Sequence, residues 1–144
     1  MQKPFRLFFV TSLILFVFIS GCKSNNIRRV WIKDYCVNAE VVDNEAGRER
    51  GLMSRDRLRQ DQGMLFIFEK SEIYNIWMKN MLFPIDIIWI SENKKIVYFT
   101  ENAQPCLSNS CPDFTPLNPA RYVLEVNSGF IKSHRLHTGD GFKF

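Results

Sequence analysis

Short apolar runs limit the fold more than any other feature of this chain. Met64–Phe68 (MLFIF), Ile85–Ile90 (IDIIWI), Ile96–Thr100 (IVYFT) and Arg121–Val126 (RYVLEV) are all brief and bounded by turn-forming residues. Runs of that length are too short for buried helices and suit the strands of a sheet. MLFIF is apolar without a break, as expected of a strand covered on both faces. Val37, Ala39 and Val41 alternate onto one face of an earlier strand within Val30–Asp43. Tyr74–Met81 predicts a further strand, which Pro84 separates from Ile85–Ile90. Ser91–Lys95 (SENKK) reads as a hairpin turn. Asn44–Leu58 has helical spacing with Asn44 as its cap, and Ser128–His134 predicts a second short helix. Gly139-Asp140-Gly141 leads into a last short strand, Phe142–Phe144. The expected fold is mainly β with a slight α+β character. It is a single compact β-sandwich or half-open barrel with two short helices.

The N-terminus sets the expected compartment. Lys3 and Arg6 precede an apolar stretch, Leu7–Ile19. As a helix that stretch spans roughly 20 Å, short of the ~30 Å hydrocarbon core of a bilayer. It predicts a signal peptide, not a permanent span. Ile19-Ser20-Gly21-Cys22 resembles a bacterial lipobox, with cleavage after Gly21 and the lipid on Cys22. The expected organisation is a signal peptide over 1–21, a lipid anchor and polar tether over 22–29, and one β-rich domain over 30–144. The expected location is the bacterial cell envelope, facing the periplasm or the exterior, with the membrane as partner through the anchor. Cleavage removes Lys3 and Arg6 and no acid, so the net charge falls from +4 to +2. That balance gives no sign of a nucleic-acid-binding surface.

Acylation of Cys22 leaves Cys36, Cys106 and Cys111. Cys106 and Cys111 sit close together in PCLSNSCP between Pro105 and Pro112, and in an oxidising envelope they are expected to bond. Closing so small a ring is worth roughly 2 kcal/mol. Cys36 falls in a strand-like run and reads as a buried free thiol. A metal site would need more ligands than His134 and His137, the only histidines, can supply. No metal and no cofactor are expected.

A series of motifs follows in order: Gly51-Leu52-Met53, Arg55, Leu58, Gly63-Met64-Leu65-Phe66, Phe68, Trp77-Met78-Lys79-Asn80, Pro84-Ile85-Asp86-Ile87, Val123-Leu124-Glu125-Val126, Gly129 and Gly139-Asp140. Over about residues 36–144 the series resembles the domain-of-unknown-function family numbered 192. The family usually continues Met-Lys-Asn with Thr, where this chain has Met81. The Pro-Cys…Cys-Pro loop resembles a secreted branch of that family. The resemblance implies a compact β-rich domain and no established activity.

The apolar stretch YNIWMKNMLFPIDIIWI contains Lys79, Asn80 and Asp86, and such groups need partners, water or a function. If the strand faces meet, Lys79, Asp86, Glu125 and Arg55 converge as two cations and two carboxylates. Arg55, Lys79, Asn80, Asp86 and Glu125 are therefore the candidate ligand-binding residues. Ion pairing that pins the charged helix to the sheet explains the same residues without a ligand. Trp77, Trp89 and Tyr98, and the methionines, read as core, and Asp140 as a turn residue. No Ser-His-Asp order, phosphate loop or Cys-His nucleophile is visible, so catalytic residues are unassigned. Three functional classes remain. The preferred one is an envelope-anchored binding or accessory domain for a polar ligand such as a glycan, or for an envelope protein. The second is a hydrolase with Asp86 and Glu125 as acid/base pair, which requires carboxyls ~5–5.5 or ~6.5–9.5 Å apart across a cleft. The third is a structural or protein-interaction module.

Cys22→Ser is expected to move the protein from the membrane fraction to the soluble fraction. Cell fractionation tests this, and a Ser variant that still sediments with membranes after a high-salt wash contradicts the lipobox.

Overall fold

The computed structural model describes residues 26–144; the expected signal peptide and the expected lipidation site, Cys22, lie outside the described residues. The elements run β1 (Ile27–Ile32), β2 (Tyr35–Val42), α1 (Glu45–Arg50), β3 (Gln62–Glu72), β4 (Ile76–Trp77), β5 (Ile85–Ile90), β6 (Ile96–Ala103), β7 (Asp113–Phe114), β8 (Ala120–Asn127), α2 (Phe130–His134) and β9 (Phe142–Lys143). Seven strands form one sheet in the order β6-β5-β8-β3-β2-β1-β9, and β4 pairs with β7 in a separate ribbon. β2 and β3 are parallel, joined by the crossover that carries α1, and the other neighbours are antiparallel.

The sheet curls into a half-barrel, and backbone hydrogen bonds tie its two edges together. Just before β9, Asp140 accepts from Ile96 N at 3.0 Å and Gly139 N donates to Ile96 O at 2.7 Å. Phe142 N donates to Lys94 O at 3.0 Å. The enclosed face therefore holds side chains from both edges: Ile96, Val30, Ile32 and Phe142 share one cluster with Leu65, Ile88, Leu124 and Val126, and Ile131 of α2 covers it. The other face buries Met64, Phe66, Ile87, Trp89 and Val123 under Leu52, Leu58, Met78 and Met81. Every residue of β5 is buried. Burying one such large apolar side chain is worth about 1.5–3 kcal/mol, so the centre of the sheet carries much of the stability.

Three expectations change in detail. Tyr74–Met81 is not one strand. Ile76–Trp77 pairs with β7, Lys79 makes a single bridge to Cys106, and Asn80 turns the chain through φ 55°. Asn tolerates that left-handed conformation better than most residues, so the segment leaves the sheet and sends Met78 and Met81 into the core. Val30–Asp43 is a hairpin turning at Lys33, and its first strand starts at Ile27, inside the stretch expected to be tether. The first helix is capped by Asn44, whose side chain accepts from Gly47 N, but it ends at Gly51 and not near Leu58.

Asp86 is fully buried and forms no ion pair among the described residues. Its Oδ1 accepts from Asn102 N at 2.8 Å and Gly129 N at 3.2 Å, and its Oδ2 accepts from Ile131 N at 2.9 Å. The carboxylate thus fastens the end of β6 and the start of α2 to β5. Lys79, expected to converge with it, lies outside the sheet with its Nζ 5.2 Å from the centroid of the Trp77 ring. Cys106 and Cys111 form a disulfide, and Cys106 is hydrogen-bonded to Met78 O and Asn80 N, which docks the long loop on the 78–80 turn. Cys36 is a free thiol, only partly buried.

Asp86→Ala should cost about 3–5 kcal/mol, because it orphans three N–H groups at once. Asp86→Asn should cost roughly 1–3 kcal/mol, since one acceptor is lost. Lys79→Met should change stability by under about 1 kcal/mol and show no coupling to Asp86. Urea unfolding of the single and double variants measures all three. A strong Lys79–Asp86 coupling contradicts the assignment.

Candidate functional site

Cross-strand register separates the two carboxylates expected to work together. Asp86 on β5 lies opposite Val126 of β8, while Glu125 lies opposite Ile87 of β5 and Met64 of β3. Paired residues share a face, so Asp86 points into the enclosed core and Glu125 to the other side. The two carboxyls flank no common cleft, and the acid/base pair of the hydrolase reading is not formed.

Glu125 shares its face with Phe66 and Val123 and is roofed by the end of α1. Gly51, at φ 49°, passes over it: a Cβ built there would lie 3.9 Å from Glu125 Oε2 and 3.5 Å from Phe66 Cζ. A side chain at this position would be strained by the positive φ, while its Cβ would only touch the ring and the carboxyl at ordinary van der Waals distance. Beside it opens a half-enclosed cavity of about 330 Å³. Its walls include Met53, Phe66, Phe68, Tyr74, Trp77 and Met81, and its floor is Glu125. Glu45, Arg48, Glu49, Arg50 and Asp113 surround the mouth.

The walls are held from behind. Phe68 and Tyr74 stack with centroids 3.6 Å apart and planes 9° from parallel. The Trp89 Nε1 donates to Tyr74 O at 2.8 Å, which fixes the backbone at that wall to the core. Arg48 lies 5.1 Å over the Phe68 ring and donates from Nη1 to Ile67 O at 3.1 Å.

Glu125 is 5% exposed, and its Oε2 is buried without a hydrogen-bond partner among the described residues. Burial pushes its carboxyl up to about 8, and the opposing pull of the Arg55 charge is weaker. Arg55 is committed elsewhere, 2.9 Å from Glu40 Oε2. At neutral pH the cavity floor is therefore mostly a protonated carboxylic acid, able to donate one hydrogen bond.

Of the five candidate residues, only Glu125 enters this cavity. Arg55 lines a separate depression with Glu40 and Val42, and Asp86 is on the opposite face. Lys79 and Asn80 line a shallow depression that shares Glu49, Arg50, Met53 and Trp77 with the mouth. Reasoning from sequence missed Gly51, Met53, Phe66, Phe68 and Tyr74. The available signal was Gly51, a glycine that ends a polar helix just before Leu52-Met53. Among the described residues no three His, Cys, Asp or Glu side chains converge on a metal site.

Glu125 links stability to pH. Its folded form holds the proton up to about pH 8, whereas an unfolded glutamate releases it near 4.5. Between these values the folded state binds more protons, so stability falls as pH rises, by several kcal/mol in total as an order of magnitude. Glu125→Gln should remove this slope and leave the protein at least as stable at about pH 8. Urea unfolding from about pH 5 to pH 8.5 tests this; identical slopes in both proteins contradict it.

The profile of the DUF192 family, described as an uncharacterized ACR, matches residues 28–144. A protein of unknown function from Novosphingobium aromaticivorans DSM 12444 has the same fold, with TM-score 0.76 and 24% identity over 82% of this chain and 85% of its own. A candidate transcription regulator from Sinorhizobium meliloti 1021 superposes with TM-score 0.70 and 32% identity over 80% of this chain and 89% of its own. No curated protein matches the chain. The family match spans almost all of the described domain and agrees with the β-rich fold, and the chain belongs to the DUF192 family.

Proposed function

We propose that this protein is a small binding or accessory domain of the bacterial envelope, anchored by lipid at Cys22, with the cavity over Glu125 as its ligand site. One observation carries the reading: a buried, unpartnered carboxyl forms the floor of a preformed aromatic cavity. An unpaired polar group of this kind costs stability, and a purely structural domain gains by pairing it or replacing it with an apolar residue. Asp86, one register step away on the neighbouring strand but on the other face, shows how the same fold satisfies a carboxylate when its role is structural.

The cavity lies at the small end of the range for ligand sites, ~300–1,000 Å³, and has their usual make-up of apolar walls with few polar groups. It suits a small polar molecule with an apolar face. A sugar ring, with its C–H face and hydroxyls, is one such ligand and fits the glycan expectation. The export expected from the N-terminal sequence and the near-neutral domain argue for a role other than the regulation named for the Sinorhizobium protein.

Met53→Trp should fill the cavity and block ligands while the domain stays folded. NMR titration with mono- and oligosaccharides and other small polar molecules is expected to shift Gly51, Phe66 and Trp77 in the wild type only. If binding shifts map elsewhere, or nothing in such a panel binds, this site assignment is wrong.

A further inference from the structure

We propose that the cavity over Glu125 takes an organic ammonium ion, with Glu125 as its counter-ion and aromatic rings as its walls. The assignment rests on the ligand-binding reading above and names the ligand class.

The cavity floor carries an acid whose charge no side chain of the lining neutralises by direct contact. Glu125 Oε2 is buried beside the cavity with no partner. Among the described residues no cation bonds to it. Arg55 pairs with Glu40 at 2.9 Å, Arg48 holds the Ile67 carbonyl, and Arg50 is exposed at the mouth. Phe66, Tyr74 and Trp77 supply π faces or edges to the lining, and rings of this kind attract cations, most strongly where water is excluded. The chain's own cations already use two rings at the rim: Arg48 lies 5.1 Å from the Phe68 centroid, and Lys79 lies 5.2 Å from that of Trp77. The charges around the mouth favour the same sign of ligand, with Glu45, Glu49 and Asp113 against Arg48 and Arg50. A volume of about 330 Å³ admits a compact head such as tetramethylammonium or choline.

Binding would exchange one charge for another. As the ammonium enters, Glu125 releases its proton to solvent, and the carboxylate left behind pairs with the cation. The groups that bias this step are few. α1 and the turn after it bring Glu45, Arg48, Glu49, Arg50 and Arg55, and the ribbon side brings Tyr74 and Asp113. The neighbours of Glu125 on β3 and β5, Met64 and Ile87, are apolar.

The same head group could come from a soluble amine or from a lipid at the membrane where the anchor places the domain. Calorimetry on the full-length protein in a nonionic detergent, with tetramethylammonium and then choline, tests the chemistry; flotation with phosphatidylcholine against phosphatidylglycerol vesicles separates the two sources. Affinity for tetramethylammonium should rise by about tenfold per pH unit between about pH 5.5 and 7.5, with close to one proton released per ion bound. Glu125→Gln should weaken binding at about pH 7.5 by tenfold or more and abolish the proton release. Arg50→Gln, an exposed change at the mouth, should tighten binding several-fold. If sugars occupy the cavity and neither cation does, the ammonium assignment falls and the binding reading stands. If nothing occupies it, both fall. If Glu125→Gln binds the cation as well as the wild type, Glu125 is not the counter-ion and the assignment is overturned.

Discussion

A sheet buried on both faces leaves no water for the polar side chains at its centre. Every other feature of the domain works within that constraint. β5 and β8 each carry one carboxyl in the middle of the sheet, and the alternation of side chains sends them to opposite faces. On the enclosed face Asp86 collects three backbone N–H groups and in doing so fixes where β6 ends and α2 begins. On the other face Glu125 finds none for its buried Oε2 and holds a proton instead. The two residues have nearly the same burial and the same chemistry. Their different surroundings give one a structural role and leave the other free for a functional one.

The space beside Glu125 depends on what the chain does not place there. α1 is short, and Gly51 ends it in a conformation that side chains disfavour, directly above the carboxyl. The segment from Tyr74 to Met81 departs from the sheet and becomes a wall of the cavity, not a strand that would fill it. Its turn at Asn80 is held by the disulfide loop through Cys106, so the covalent link stiffens the side of the molecule that carries the site. An unsatisfied buried group next to a preformed cavity is a pattern in which stability is given up locally, as happens at binding sites.

Much of the architecture was legible in the sequence. MLFIF, IDIIWI and RYVLEV became the central strands because a short, mostly apolar run has only one comfortable place in a small β domain. Asn44 caps the first helix and the 106–111 pair bonds, since both follow from local chemistry. The half-barrel closure was expected only as one of two architectures, because its decisive hydrogen bonds join Gly139–Phe142 to Lys94–Ile96, far apart in sequence. The site was legible only at Glu125. Alternation assigns faces within a strand but gives no register between strands, so nothing in the sequence separated Asp86 from Glu125. The left-handed turn at Asn80 removed Lys79 from the strand on which its pairing depended.

The central claim is that Glu125 stands protonated and unpaired at the floor of an open site. Carboxyl-carbon NMR of selectively labelled protein, followed through a pH titration, observes that group directly. The account predicts one glutamate with a midpoint near 8, absent in Glu125→Gln. A Glu125 midpoint in the ordinary glutamate range, near 4.5, would show a carboxylate that is solvated or paired and would contradict it.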